Sequence, residues 1–244
     1  MIRAHAVPMI FLCALATAAC DSTPFETTDS ARPQFAAMTN LTFNENFNLN
    51  GNPSGRLEQT GYGTVAYTNG VASFPSMGDR AYVRTIAGYA DVDFKADITV
   101  TLTGGVGPIG IGFFGFGAGD TNGCAFYCEP AEGPTFYARI MPDDFWGPGM
   151  NVTTNTAGVV EGETAWNEGG DGTHRLRITW KAATRQLSFA IDTDYVEGTE
   201  FTPTTVYATT VDAGVFNASN SRIYFGGGGN TSFDNFHVTV TGRR

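Results

Sequence analysis

The chain has 244 residues and a formal net charge of −10 at neutral pH. So acidic a surface repels the phosphate backbone of nucleic acids and the headgroups of anionic lipids, which argues against nucleic acid as a partner. The 31 glycines, the 13% of aromatic residues and the scarcity of lysine, found only at Lys95 and Lys181, are typical of a protein built from strands and turns.

Residues 1–20 have the pattern of an export signal. Arg3 supplies a positive charge, and residues 7–15 form an apolar run that is too short to span a bilayer. Thr17, Ala18 and Ala19 then precede Cys20. Small residues directly before a cysteine resemble the lipobox of bacterial lipoproteins, which implies lipidation of Cys20 and membrane contact through that anchor alone. The alternative is ordinary cleavage near Ala19, which would give a freely secreted or periplasmic protein.

Residues 21–40 are rich in Ser, Thr, Pro, Asp and Ala, which indicates a flexible tether ahead of a domain that spans residues 41–244. In the domain, short runs of β-type residues are separated by Gly, Asp, Asn and Pro, as is typical of a β-sandwich or barrel. We predict strands over residues 82–85, 91–102, 109–116, 135–141, 175–180, 186–192, 205–211, 222–225 and 233–241.

The predicted strand 91–102 has a clear period of two. Asp91, Asp93, Lys95 and Asp97 fall on one face, and the apolar residues between them fall on the other. Polar alternation of this kind is the usual outer face of an antiparallel sheet, so we interpret the acidic face as solvated.

Two segments of the C-terminal half resemble the concanavalin A-like lectin and glucanase superfamily. The first is the hairpin of His174-Arg-Leu-Arg-Ile-Thr-Trp180 and Leu187-Ser-Phe-Ala-Ile-Asp192, and the second is the glycine-rich run from Ile223 into the last strand, which ends near Val240. The resemblance covers residues 41–242. It implies an all-β fold, a two-sheet antiparallel sandwich of jelly-roll type, and often a sugar ligand, although a fold by itself names no function.

The glucanases of that superfamily resemble one another in a Glu-x-Asp-x-x-Glu strand motif, whose carboxylates flank the scissile bond. The nearest segment here, Asp91-Val-Asp-Phe-Lys-Ala-Asp97, lacks both glutamates, so we expect no catalytic residues. The glycine run 226–229 is not followed by the Lys-Ser/Thr pair or the helix of a phosphate loop. We expect these glycines to serve close packing at a strand end.

Cys124 and Cys128 bracket three residues between two predicted strands. In an oxidising compartment we expect them to form a disulfide that stiffens this loop.

Strand direction predicts where the loops lie. If each strand from Ile109 onward runs antiparallel to the one before it, loops 117–133, 155–172 and 193–204 share one end of the sandwich, and loop 142–148 lies at the other. The shared end holds carboxylates and aromatic rings but no Lys or Arg: Asp120, Glu129, Glu163, Asp171 and Asp194, with Tyr127, Trp166 and Tyr195. This set suits a Ca²⁺-assisted sugar site, and the alternative is that acidic loops are simply solvated. Trp146, in loop 142–148, is a further candidate for stacking on a sugar.

These features together predict a non-catalytic binding module on a cell envelope, with a glycan as the expected ligand. Two alternatives remain open: a glycan-cleaving enzyme of the same fold, and a structural or protein-interaction protein of the envelope.

Overall fold

The structure is a computed structural model that describes residues 41–48, 55–76, 81–103, 110–118, 134–141, 149–156, 159–166, 170–193 and 195–243. The described residues form two antiparallel sheets. Their strands are β1 (Phe43–Glu45), β2 (Leu57–Gly61), β3 (Ala66–Thr68), β4 (Val71–Phe74), β5 (Ala81–Thr85), β6 (Val92–Leu102), β7 (Ile111–Gly117), β8 (Thr135–Met141), β9 (Gly149–Thr156), β10 (Val159–Trp166), β11 (Gly172–Lys181), β12 (Gln186–Asp192), β13 (Thr205–Thr210), β14 (Arg222–Gly228) and β15 (Thr231–Arg243).

The eight-stranded sheet has the order β13-β12-β11-β6-β15-β4-β3, with β1 also paired to β15, and the seven-stranded sheet has the order β10-β9-β8-β7-β14-β5-β2. The predicted all-β, two-sheet antiparallel sandwich is therefore confirmed. All nine predicted strands coincide with observed ones, and β8 and β12 match to the residue. In the part of the chain that the structure describes, no helix is long and apolar enough to cross a membrane.

The core lies between the sheets and is dominated by phenylalanine. Phe225 of β14 is fully buried, and its ring centroid lies 5.2 Å from those of Phe233 and Phe236 and 5.7 Å from that of Phe47. Tilted and edge-on aromatic contacts of this kind add stability beyond the burial of apolar area. These rings join β14 and β15 to the segment that follows β1.

The glycines of β14 allow close packing, as the sequence predicted. A Cβ atom on Gly226 would lie 2.2 Å from the carbonyl oxygen of Ala81, and one on Gly227 would lie 2.0 Å from that of Ile111. Both contacts are with the backbones of neighbouring strands, so only glycine fits where β14 lies between β5 and β7.

One predicted loop contains a strand. Residues 155–172 include β10, which pairs with β9 at the edge of the seven-stranded sheet and carries an irregularity between Val160 and Gly162. Because β10 has a central glycine, two glutamates and a bulge, it lacks the regular alternation from which a strand is predicted.

The two ends of the sandwich can be named by their residues. At the Gly117 end, Gly117 of β7 pairs with Thr135 of β8, and at the Gly149 end, Met141 of β8 pairs with Gly149 of β9. β10 reverses the chain once more, since Trp166 at its end pairs with Met150. Trp166 therefore lies at the Gly149 end.

This extra reversal changes the position of every later connection. β11 runs back to the Gly117 end, where Trp180 packs against Phe116 with ring centroids 5.5 Å apart. β12 then returns, and its last residue, Asp192, pairs with Arg175 near the start of β11. Residues 193–204 thus follow β12 at the Gly149 end, opposite the residues that flank 119–133. The prediction that loops 117–133, 155–172 and 193–204 share one end is wrong.

Candidate functional site

The outer face of the eight-stranded sheet carries a row of polar side chains near the Gly149 end. The cross-strand register places Asp192 of β12, Arg175 of β11, Thr99 of β6 and Asp234 of β15 side by side. Residues directly opposite one another on the same face of a sheet lie close enough to interact. Four strands from distant parts of the chain therefore contribute to one patch.

Next to this row, a buried carboxylate is paired with two guanidinium groups. Arg177 donates from Nε to Oδ1 of Asp97 at 2.6 Å and from Nη2 to Oδ2 at 3.2 Å, while Nη2 of Arg175 lies 3.9 Å from the same Oδ2. Asp97 is only 7% exposed. The interpretation of residues 91–97 as a solvated face holds for Asp91 and Lys95 but is wrong for Asp97, because the arginines of β11 cover it.

The segment after β12 lies over these arginines. The ring centroid of Phe201 is 4.0 Å from Cζ of Arg177, and that of Tyr195 is 5.1 Å from Cζ of Arg175, whose Nη1 also donates to the Tyr195 hydroxyl at 3.3 Å. Aromatic faces attract guanidinium groups at such distances. The segment is thereby held against the outer face of the sheet.

A β-bulge sets the direction of Asp234. The register between β15 and β6 shifts between Asp234 and His237, and Asn235 within the bulge has a φ of 51°. The Asn235 amide donates to Oδ1 of Asp234 at 2.6 Å. The bulge lets Phe236 point into the core while Asp234 stays on the outer face opposite Thr99.

Two polar atoms in this patch have no hydrogen-bond partner. They are the hydroxyl oxygen of Thr99, a residue only 7% exposed, and Nε of Arg175. An unsatisfied buried polar atom costs about 1–3 kcal/mol, so such atoms in a native fold call for an explanation. We name the group of Thr99, Arg175, Tyr195 and Asp234 the Thr99 site.

Asp234 has an unusual environment for a carboxyl group. Partial burial raises its pKa above the ordinary value, the nearby charge of Glu197 raises it further, and the hydrogen bond from Asn235 opposes both effects. Glu197 is exposed, on the segment that lies over the sheet. Asp234 on β15 and Glu197 on the segment after β12 thus belong to different elements, and the charge of Glu197 raises the pKa of Asp234.

We expect Asp234→Asn to stabilise the folded protein at neutral pH. Because the pKa of Asp234 is raised on folding, the folded state binds more protons than the unfolded state between the two pKa values, and the free energy of unfolding falls as pH rises through that window. Asparagine cannot ionise and keeps an acceptor for the Asn235 amide. Melting temperatures of both proteins between about pH 3 and pH 8 should coincide at the acid end and diverge above it.

The exposed Asp91, just before β6, supplies the matched control, since Asp91→Asn should change the melting temperature at neutral pH only slightly. An Asp234→Asn protein less stable than the native one at neutral pH would contradict the account of the raised pKa.

The predicted site residues fall in different places. Tyr195 belongs to the Thr99 site, and Trp166 and the exposed Asp171 lie at the same end of the sandwich. Glu163 pairs with Thr153 within β10 and β9. The remaining predicted residues lie outside the described residues: Cys20, Asp120, Cys124, Tyr127, Cys128, Glu129, Trp146 and Asp194.

The predicted calcium site is not assembled by the described residues. Among them, no three His, Cys, Asp or Glu side chains are grouped so that they could hold a metal ion. The argument for such a site depended on loops sharing one end, and that grouping is wrong. A role for Ca²⁺ stays a prediction.

The outer face of the seven-stranded sheet carries a buried aromatic cluster. Tyr82, Phe113, Tyr137 and Tyr224 form a cluster on it with Ile111, and the rings of Tyr82 and Tyr137 each lie 5.8 Å from that of Phe113. All five side chains are buried. The polar candidate site is on the outer face of the other sheet.

Comparison with solved structures identifies the architecture. The chain superposes on lectin II from Ulex europaeus with a TM-score of 0.57 and 15% identity, covering 82% of this chain and 98% of the lectin. Peanut lectin in complex with a 9-residue peptide gives a TM-score of 0.58 and 15% identity, covering 82% of this chain and 97% of the lectin. The carbohydrate recognition domain of Emp47p gives a TM-score of 0.57 and 13% identity, covering 84% of this chain and 96% of that domain. No protein-family model and no curated protein sequence matches the chain. The fold is thus the concanavalin A-like sandwich seen in legume lectins.

Proposed function

We propose that this protein is a non-catalytic carbohydrate-binding module that a lipid anchor at Cys20 displays on a cell envelope. The observation that carries the proposal is the Thr99 site, a patch of hydroxyl, carboxyl and guanidinium groups beside an aromatic ring. Sugars are bound in proteins by such convergent polar groups with an aromatic side chain beside them. Lectins of known structure, including lectin UEA-II complexed with galactose, share the fold over nearly their whole length.

One observation favours a second candidate, glycan hydrolysis. Asp234 has a raised pKa and is influenced by a second carboxyl group, that of Glu197. Glycoside hydrolysis uses two carboxyl groups, one as acid and the other as base or nucleophile. Against this, Glu197 lies on an exposed loop, and rigid elements hold catalytic geometry better than loops do.

A glycan array combined with turnover assays on polysaccharides separates the candidates. We expect binding to at least one class of glycan without release of reducing ends. Turnover that Asp234→Asn abolishes would establish the enzyme instead. No binding and no turnover would favour the structural or protein-interaction role in the envelope.

The anchor needs its own measurement, which is the intact mass of the mature protein. Lipidation at Cys20 predicts an N-terminal cysteine that carries acyl chains and remains in the membrane fraction. An unmodified N-terminus at or beyond Asp21 would make the protein a freely secreted or periplasmic one and would leave the binding proposal intact.

A further inference from the structure

We propose that β13, at the edge of the eight-stranded sheet, pairs antiparallel with β13 of a second copy of this chain, so that two copies form a symmetric dimer. The inference goes beyond the proposed function and does not depend on it. Three properties of β13 support it: open backbone hydrogen-bonding groups, a sequence without charge, and a register in which the strand matches itself.

The outer side of β13 presents backbone groups to solvent. Among the described strands, β13 pairs with β12 alone. Just past its end, the Val211 amide donates to the Arg185 carbonyl, in the turn before β12, at 2.9 Å. Because the backbone groups of successive strand residues point to alternate sides, Val206, Ala208 and Thr210 direct their N–H and C=O groups away from β12. All three residues are exposed, so these groups are open to a further strand.

β13 lacks the features by which edge strands avoid pairing with another chain, which are charges, prolines, bulges and short length. The other strands at the ends of the described sheets have such features. β3 has three residues, β10 contains two glutamates and an irregular register, and β2 carries Glu58, which is bonded to Arg84 at 2.7 Å. β13 is Thr-Val-Tyr-Ala-Thr-Thr, without charge or proline, and its register with β12 is regular throughout. Its edge is therefore suited to pairing.

The open residues of β13 are complementary to themselves. In an antiparallel pairing centred on Ala208, that residue lies opposite Ala208 of the second copy, and Val206 lies opposite Thr210 of the second copy. Each pair then joins two residues whose backbone groups point toward each other, so each pair can exchange two N–H···O bonds. A strand that pairs with itself in this way forms the isologous interface of a two-fold dimer. Val206, whose side chain is 57% exposed, gains a cross-strand neighbour.

Charge favours this edge as the place where two copies meet. The chain has a net charge of −10, so two copies repel each other over most of their surface. Residues 201–211 contain no charged side chain. The first acidic residue after them, Asp212, would lie opposite Thr204 of the second copy in this register. The pairing therefore brings no acidic residues of the two copies opposite each other.

Sedimentation velocity of the mature protein over a concentration series tests the pairing. We expect a reversible monomer–dimer equilibrium, because an interface of one strand from each copy buries less than about 1,200 Å². Ala208→Pro removes an N–H donor on both sides of the two-fold axis and should weaken the dimer about tenfold or more. Ala208→Lys keeps the backbone intact but sets two like charges opposite each other, and should weaken the dimer about fivefold.

Ile86→Lys is the matched control. It adds the same charge at an exposed apolar residue that follows β5 in the other sheet, so this variant should dimerise as the native protein does. Melting temperatures would show that all three variants are folded.

A cysteine at the two-fold axis tests the register. Ala208→Cys should form a disulfide between two copies on mild oxidation, because the Cα atoms of a hydrogen-bonded antiparallel pair are about 5.5 Å apart, within reach of a disulfide. Thr210→Cys is also exposed, but it would lie opposite Val206 of the second copy and should not cross-link. Non-reducing gel electrophoresis compares both variants with the native protein.

Three results would overturn the inference. A native protein that remains a monomer at every concentration would show that β13 does not recruit a second copy and would leave its edge open to an extended peptide of another protein. A dimer that both Ala208→Pro and Ala208→Lys leave unchanged would place the interface elsewhere on the chain. Equal cross-linking of Ala208→Cys and Thr210→Cys would contradict the register.

Discussion

Asp97→Ala is expected to lower the free energy of unfolding by about 3 kcal/mol. The substitution removes the only carboxylate that the described residues show within 4 Å of the Arg177 and Arg175 guanidinium groups, whose side chains are 24% and 20% exposed. Breaking a buried ion pair costs about 3–5 kcal/mol because a charge is left without compensation, and the remaining exposure of the arginines places this case at the low end. Urea denaturation followed by circular dichroism measures the change.

Two further variants define the cause. Asp91→Ala, an exposed carboxylate next to the same strand, should change the free energy of unfolding by less than about 0.5 kcal/mol. The double variant Asp97→Leu with Arg177→Met should recover part of the loss, since an apolar pair can replace a buried ion pair. A loss below about 1 kcal/mol in Asp97→Ala would show that solvent compensates the arginines and that the pair does not organise this face.

The fold was predictable where alternation is strong. β8 and β12 match their predicted bounds because apolar residues alternate through each of them and turn residues flank them. β1 to β4, of three to five residues each, are not among the predicted strands, because so short a run gives only a weak period of two. The glycine and the bulge of β10 hide its strand character in the sequence, and this one extra strand moves the connections that follow it to the opposite ends of the sandwich.

The Thr99 site was less predictable than the fold. Alternation in β11 does place Arg175 and Arg177 on one face, but it does not say which carboxylate they meet. The pairing of the arginines with Asp97 depends on the register of β11 against β6. The position of Asp234 depends on a β-bulge that cannot be predicted from the local sequence pattern. The sequence indicates Tyr195 through its position in a loop and its aromatic ring, and the structure shows its partner, Arg175.

Gly227→Ala should destabilise the protein by about 3 kcal/mol, the upper part of the range for overpacking. The new Cβ atom would lie 2.0 Å from the carbonyl oxygen of Ile111 and 3.4 Å from Cα of Gly112. Both neighbours belong to the backbone of β7, so room can be made only by moving β7 away from β14, which strains the ladder between two central strands. Thermal or urea unfolding measures the loss.

Alanine substitutions at two other glycines test this explanation, because their Cβ atoms would meet less. Gly112→Ala would bring its Cβ within 3.2 Å of a Val100 methyl group, a side chain that can shift slightly, and should cost about 1 kcal/mol. Gly55→Ala meets nothing within 4 Å and should be neutral within about 0.5 kcal/mol. The order Gly227, Gly112, Gly55 follows from what each Cβ atom meets. If all three variants were equally stable, β14 would not need glycine for packing, and its glycine run would have to serve a purpose other than the close approach of β5 and β7.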